Sequence, residues 1–359
     1  MAEPTRTALH DKLEAMGGTF EEDSGWLWID TFGDIRKEYD AVREAVGVWD
    51  LSPLIKWEFK GPQAAEAVNF VNGNDILGAK PGQVKYGPFL NEKGAVVDDG
   101  TIYKFSDEDL LVMTNGEDHG PYWDEHLSDL DVSITNVARQ MPHVSIQGPK
   151  SREIVASLTD ADVAGLKYFN FIPEKVKLGD ASGYLARTGF SGELGFEFFT
   201  NPDDIGDLFD VLMDKGVTPF GVGAIYILRL EAGLLIPTLD YDPGETSPYD
   251  VSLDRFVRMD KDEFLGRRAL EPVAQDPPRR YKTLKVDGDL PEDGAVVLKD
   301  GENVGVFRCG VESFAFGNIG GAILNKEVAV DGETVQVDGR AATVHPWGIY
   351  DPQKKRPRS

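Results

Sequence analysis

Hydrophobic positions along the chain recur with two periods, and the changes of period mark the elements. Leu9, Leu13 and Met16 lie three and four apart, the spacing of one helix face, and Gly17-Gly18 closes that helix. A second helix is predicted from Asp34 to Ala45, with Ile35, Tyr39 and Val42 on one side. After Gly47 to Leu51 the pattern alternates through Ile55-Lys56-Trp57-Glu58-Phe59-Lys60, a half-buried strand. Gly61-Pro62 breaks it, and Gln63 to Asn72 is an amphipathic helix. A hairpin follows: Val84 to Leu90, the turn Asn91-Glu92-Lys93-Gly94, then Ala95 to Phe105. Leu110 to Thr114 and Val132 to Val137 read as strands on either side of a helix from His119 to Leu130. Strand and helix signals alternate again through Val144 to Phe199. From Tyr281 onward the helical period vanishes, and short strands alternate with Asp-Gly turns, behind a linker at Pro272 to Arg280. The fold class is α+β with a C-terminal β-barrel.

Composition narrows the partners. Among 359 residues, 62 are acidic and 37 basic, a formal charge of −25. Nucleic acid and anionic membrane surfaces both require a basic footprint, so neither is an expected partner. No apolar run reaches the ~20 residues of a bilayer span, and the N-terminus lacks a signal-peptide core. The single cysteine, Cys309, cannot form an internal disulfide and suits a reducing compartment. A cytoplasmic location is expected. The excess acid suits either plain solubility or a high-salt habitat.

Generic chemical motifs are missing. The five histidines include no i, i+4 pair, so no metal site is expected; His119 and His126 read as surface residues. Dinucleotide, P-loop and serine-hydrolase fingerprints are absent. Two clusters remain. Asp98-Asp99 interrupts an apolar strand, and alternation should send one carboxylate inward, at a cost unless it has a partner or a task. Arg187-Thr-Gly-Phe-Ser-Gly-Glu193 leads into Glu197 and reads either as a tight hairpin or as backbone held close to a ligand.

These stretches together resemble the glycine cleavage T-protein (aminomethyltransferase) family. The resemblance runs through Val42-Arg43-Glu44-Ala-Val-Gly47-Val-Trp-Asp50, Pro81-Gly82-Gln83-Val-Lys-Tyr86, Leu90-Asn91-Glu92-Lys93-Gly94, and Val97-Asp98-Asp99. It continues in Gln147-Gly148-Pro149-Lys150, Arg187 to Glu193, Leu228-Arg229-Leu230-Glu231-Ala232-Gly233 and Phe264-Leu-Gly266-Arg267. It implies a three-domain ring: residues 1–50 with 138–222, residues 51–137 with 223–272, and a barrel over 281–359. It also implies tetrahydrofolate in a central channel, with Asp99 catalytic near N5. Tyr86, Asn115, Tyr168, Phe190 and Glu197 would then bind the folate, Phe190 standing where T-proteins usually carry tyrosine.

One departure bears on the donor. T-proteins carry Gly-Ala-Arg-Asp before the Leu-Arg-Leu-Glu-Ala-Gly run, whereas this chain has Gly223-Ala224-Ile225-Tyr226. Losing a guanidinium argues against a carrier-bound aminomethyl group. It points to a small methylated donor facing Ile225 and Tyr226: a methoxy-aromatic, a sulfonium or a methylated amine. The expected activity is tetrahydrofolate-dependent demethylation, with aminomethyl transfer as the alternative. A non-catalytic folate-binding role ranks below both, since the cysteine-bearing stretch of such relatives is replaced by Thr188-Gly-Phe-Ser-Gly-Glu193.

Overall fold

The computed structural model describes residues 3–116 and 118–359. Three β-systems organise it. The first is a six-stranded sheet in the order Val176–Leu178, Ala181–Ala186, Gly195–Phe199, His143–Gln147, Gly47–Asp50 and Thr218–Pro219. Its pairings are antiparallel except the last, where Thr218–Pro219 runs parallel to Gly47–Asp50. The second is a five-stranded antiparallel sheet in the order Val84–Leu90, Val96–Lys104, Asp109–Thr114, Ile55–Lys60 and Ser133–Asn136. The third is a closed six-stranded barrel from Arg279–Val286 to Arg340–His345, sealed by pairing of those two strands.

Local rules account for most of these elements. Asp34 caps the helix Ile35–Glu44 by accepting from the Lys37 amide. That helix buries Tyr39 and Val42, the predicted face. The helix Gly120–Leu127 is shorter than the span predicted from His119 to Leu130: His119 is its N-cap, and it ends at Leu127 with Ser128 as C-cap. A hairpin of Thr19–Asp23 with Trp26–Thr31 also stands where no element was predicted. Its first strand reads Thr-Phe-Glu-Glu-Asp, too polar to show an alternating pattern.

The helix Val222–Ala232 ties the barrel to the N-terminal elements. Nine of its eleven residues are buried, so it lacks an amphipathic stripe. It packs on the helix Ile35–Glu44, the strand Trp26–Thr31 and the barrel strand Glu302–Ser313. The charged members of the Leu-Arg-Leu-Glu-Ala-Gly run are internal ties here. Arg229 pairs with Asp240, and Glu231 accepts from Arg43 at 2.6 Å, Ser313 at 2.5 Å and Tyr39 at 3.0 Å. Arg43 also donates to Glu193 at 3.1 Å and to the carbonyls of Ser191 and Leu228. The helix ends at Gly233 in the left-handed conformation, and Gly348 lies where a side chain there would go.

Beyond the barrel, residues 346–359 run back as a strap across the molecule. The Tyr350 amide donates to the Glu231 carbonyl at 2.8 Å, and its hydroxyl donates to Glu193 at 2.5 Å. Lys354 donates to the Ala232 carbonyl. Arg152 and Arg187 hold the carbonyl oxygens of Ser359 and Pro357. No helix of the described residues is long and apolar enough to cross a membrane.

Candidate active site

A cavity of about 780 Å³ lies where both sheets, the helix Val222–Ala232 and the strap converge. Asp99 stands on its wall, on the strand Val96–Lys104, only 6 % exposed. Tyr86 donates to Oδ2 and Tyr241 to Oδ1, each at 2.6 Å. Burial and the neighbouring Asp98 charge raise its carboxyl, the two phenols pull the other way, and the result is a group near pKa 7. Such a carboxyl can hold or release a proton under neutral conditions.

Asp98 corrects the alternation argument. It is 2 % exposed and borders the same cavity, so both aspartates are inside. A register shift at Val97 displaces the strand just before the pair. Donors on both sides then hold the two carboxyls. Asp98 accepts from the Asn115 amide at 3.1 Å, Asn115 Nδ2 at 2.6 Å and the Asp99 amide at 2.8 Å. The fourth partner is His119, whose Nε2 lies 2.7 Å from Oδ2. His119 is 5 % exposed and lines the cavity, which overturns its reading as a surface histidine. Its ring stands edge-on to Trp123 and Tyr122, apolar packing that the sequence spacing alone did not reveal.

Glu197 also lines the cavity, from the strand Gly195–Phe199. Tyr103 at 3.0 Å and Thr188 at 2.6 Å both donate to Oε2, leaving Oε1 without a donor among the described residues. Burial raises this carboxyl, while the two hydroxyls and Lys56 act against that. Lys56 is itself sealed in the core, donating to the Leu51 and Ser52 carbonyls, and burial lowers it to about 7. Tyr168, Phe169 and Phe190 add aromatic wall. In the 187–193 stretch Gly189 admits Gln147: a Cβ there would come within 2.1 Å of its amide. Asn115 also reaches the cavity, but its Nδ2 is engaged by Asp98 and the Asp99 carbonyl at 3.0 Å.

Ile225 and Tyr226 line another part of the cavity with Trp28 and Trp49. Glu21 and Asp23 of the unforeseen hairpin join them, and the Tyr226 hydroxyl lies 3.5 Å from Glu21. Burial and the charges of Asp30 and Asp23 raise Glu21. This wall is therefore acidic as well as aromatic, a setting for a cationic group. Arg255, Lys354 and Arg358 also line the cavity, and their mutual repulsion helps burial lower Lys354 to about 8.

Among the described residues two groups of side chains could share an ion, His10 with Asp11 and Glu14, and Glu92 with Glu125 and His126; neither lines the cavity. The cavity's own donor set suits a flat heterocycle with an N–H edge. Its aromatic walls would hold the faces, and Glu197 Oε1 is a free acceptor for the edge.

Comparison with known proteins agrees. The model of the GCVT N-terminal domain matches residues 9–261, and that of the CAF17 C-terminal beta-barrel domain matches residues 278–348. An aminomethyltransferase of Lysinibacillus sphaericus is 31 % identical, with 98 % of each chain covered. One of Alkaliphilus oremlandii is 32 % identical over 96 % of each, and one of Streptomyces coelicolor 34 % identical over 87 % of each. The crystal structure of the glycine cleavage system aminomethyltransferase T from Bartonella henselae has the same fold. Its TM-score is 0.87 at 24 % identity, covering 97 % of this chain and 98 % of that one. Fold and relatives define a tetrahydrofolate-dependent one-carbon transferase. The chain belongs to the glycine cleavage T-protein family.

Proposed function

We propose that this enzyme transfers an aminomethyl one-carbon unit to tetrahydrofolate, with Asp99 handling the proton at N5. The observation that carries the reading is the Asp99 carboxyl, poised near pKa 7 between two tyrosyl hydroxyls on the cavity wall. Bound folate supplies nucleophilic nitrogen for the one-carbon unit. Glu197 would hold the pterin edge, while Tyr168 and Phe190 pack its faces. Tyr86 and Asn115 would act through the aspartates they bond. The name shared by relatives that match nearly the whole chain favours aminomethyl transfer over the demethylation expected from the sequence.

The acidic, aromatic wall of Glu21, Asp23, Trp28 and Tyr226 supports a cationic donor, and an aminomethyl group carries an ammonium. A second reading has its own support: Ile225-Tyr226 replaces the family's Arg-Asp, and the same wall would accept a sulfonium or methylated amine. The deciding assay supplies tetrahydrofolate with an aminomethyl-loaded lipoylated carrier, beside sulfonium, betaine and methoxybenzoate panels. Mass spectrometry follows the folate. Methylene-tetrahydrofolate with ammonia release supports the first reading. 5-Methyltetrahydrofolate formed from a small donor alone replaces it with the second.

A further inference from the structure

We infer that His119 is a second proton-handling residue of this site, oriented by Asp98 so that Nδ1 accepts and returns a proton during one-carbon transfer. The inference rests on the aminomethyl reading above and starts from the tautomer. Three of the four partners of Asp98 are N–H groups that can only donate: the Asp99 amide, the Asn115 amide and Asn115 Nδ2. They fix Asp98 as an acceptor on both oxygens. A lone pair on His119 Nε2 would then face a carboxylate oxygen at 2.7 Å, an unfavourable contact, so Nε2 carries the hydrogen. In the neutral ring Nδ1 is left with the lone pair, and among the described residues the ring's hydrogen bond is the one at Nε2.

His143 shows what a purely structural histidine looks like in this fold. It is fully buried and stacked on Phe199 with a centroid separation of 4.6 Å, and both ring nitrogens are sealed without partners. His119 instead lines the cavity that Asp99 lines. The titratable groups around its ring are Asp98 from the strand Val96–Lys104, with Asp99 next to it, and Tyr122 from its own helix.

The reaction gives a second carrier something to do. Moving an aminomethyl group from a thioether to two acceptor nitrogens breaks one C–S and one C–N bond and makes two C–N bonds. Two protons leave the acceptor nitrogens; one ends on sulfur and the other on ammonia, giving ammonium. Nothing is oxidised or reduced. Asp99 accounts for one of these protons, and His119 Nδ1 for the other.

The tests separate this role from packing. With five histidines in the chain, ¹⁵N NMR of the ligand-free protein can resolve each ring. The neutral His119 ring, identified by its loss in His119→Gln, should show Nε2 protonated and Nδ1 bare; the reverse tautomer overturns the inference. His119→Gln keeps an amide able to donate to Asp98 but has no basic nitrogen. Calorimetric affinity for tetrahydrofolate should stay within about twofold, while kcat falls about 10²-fold. Unchanged kcat overturns it, and so does loss of folate binding in parallel with the rate, which makes the residue structural. If the parent protein itself binds no tetrahydrofolate, the folate reading fails first, and the inference falls with it.

Discussion

Asp99 and Tyr241 stand 142 positions apart in the chain, and the phenol of one donates a 2.6 Å hydrogen bond to the carboxyl of the other. Tyr86 provides the matching bond on the other oxygen. Hydroxyl donors favour the ionised carboxyl, whereas burial and Asp98 favour the neutral one and outweigh them, which leaves the group near pKa 7.

Asp99→Asn should therefore lower the transfer rate by about 10²–10⁴ while the protein still folds. The parent enzyme needs the ionised form to take a proton, so its kcat/KM should rise with pH through about 7. The rise should vanish in the variant. Equal profiles for the two proteins would remove Asp99 from the chemistry.

Tyr241→Phe keeps the ring and deletes one donor. The neutral carboxyl is then favoured further, and the rising limb of the pH profile should move to higher pH. Tyr86→Phe should move it in the same direction. A shift to lower pH in either variant would contradict the bonding described above.

The same group links stability to pH. Its folded pKa near 7 lies above the ordinary 3.8, so its stabilising contribution is complete below about 3.8 and is lost as pH rises through about 7. Asp99→Asn removes that loss. At pH 8 the variant should unfold later in urea than the parent, by on the order of 1–3 kcal/mol, with the gap narrowing toward pH 5.

Arg43 is the predicted weak point of the architecture. Replacing it with alanine leaves Glu193 and Glu231 buried without their guanidinium, and a cost of about 3–5 kcal/mol is expected from denaturant unfolding. Glu197→Ala should behave differently, weakening tetrahydrofolate by about 1–3 kcal/mol in calorimetry with a smaller effect on unfolding.

The sequence made periodic elements visible and left irregular ones hidden. Ile35–Glu44, Ala64–Val71 and the Val84–Leu90 hairpin follow directly from spacing and turn residues. Tyr241 does not: it lies between the helix Val222–Ala232 and the short turn at Asp254–Phe256, in a segment without period, and only the fold brings it to Asp99. Glu21 was hidden by a strand too polar to alternate, so the acidic side of the wall at Tyr226 was missed. His119 had one available signal. It stands just beyond the strand Asp109–Thr114, whose neighbour carries the aspartate pair, and adjacent strand ends deliver side chains to one place. Without the pairing order that signal could not be used.

The strap at residues 346–359 carries a consequence for biosynthesis. Tyr350 is hydrogen-bonded to Glu231 and Glu193, Arg356 pairs with Glu193, and Arg152 holds Ser359, 207 positions later in the chain. Contacts of such long separation form late, because the intervening chain must be ordered first. On the ribosome, the two sheets that carry Asp99 and Glu197 can assemble while Lys354 and Arg358 are still untranslated or inside the exit tunnel. Until those residues emerge, the aromatic walls stand open to solvent and to other nascent chains. A ligand that bridges both sheets would steady this half-built ring, so folate supply during synthesis should influence how much protein reaches the closed form.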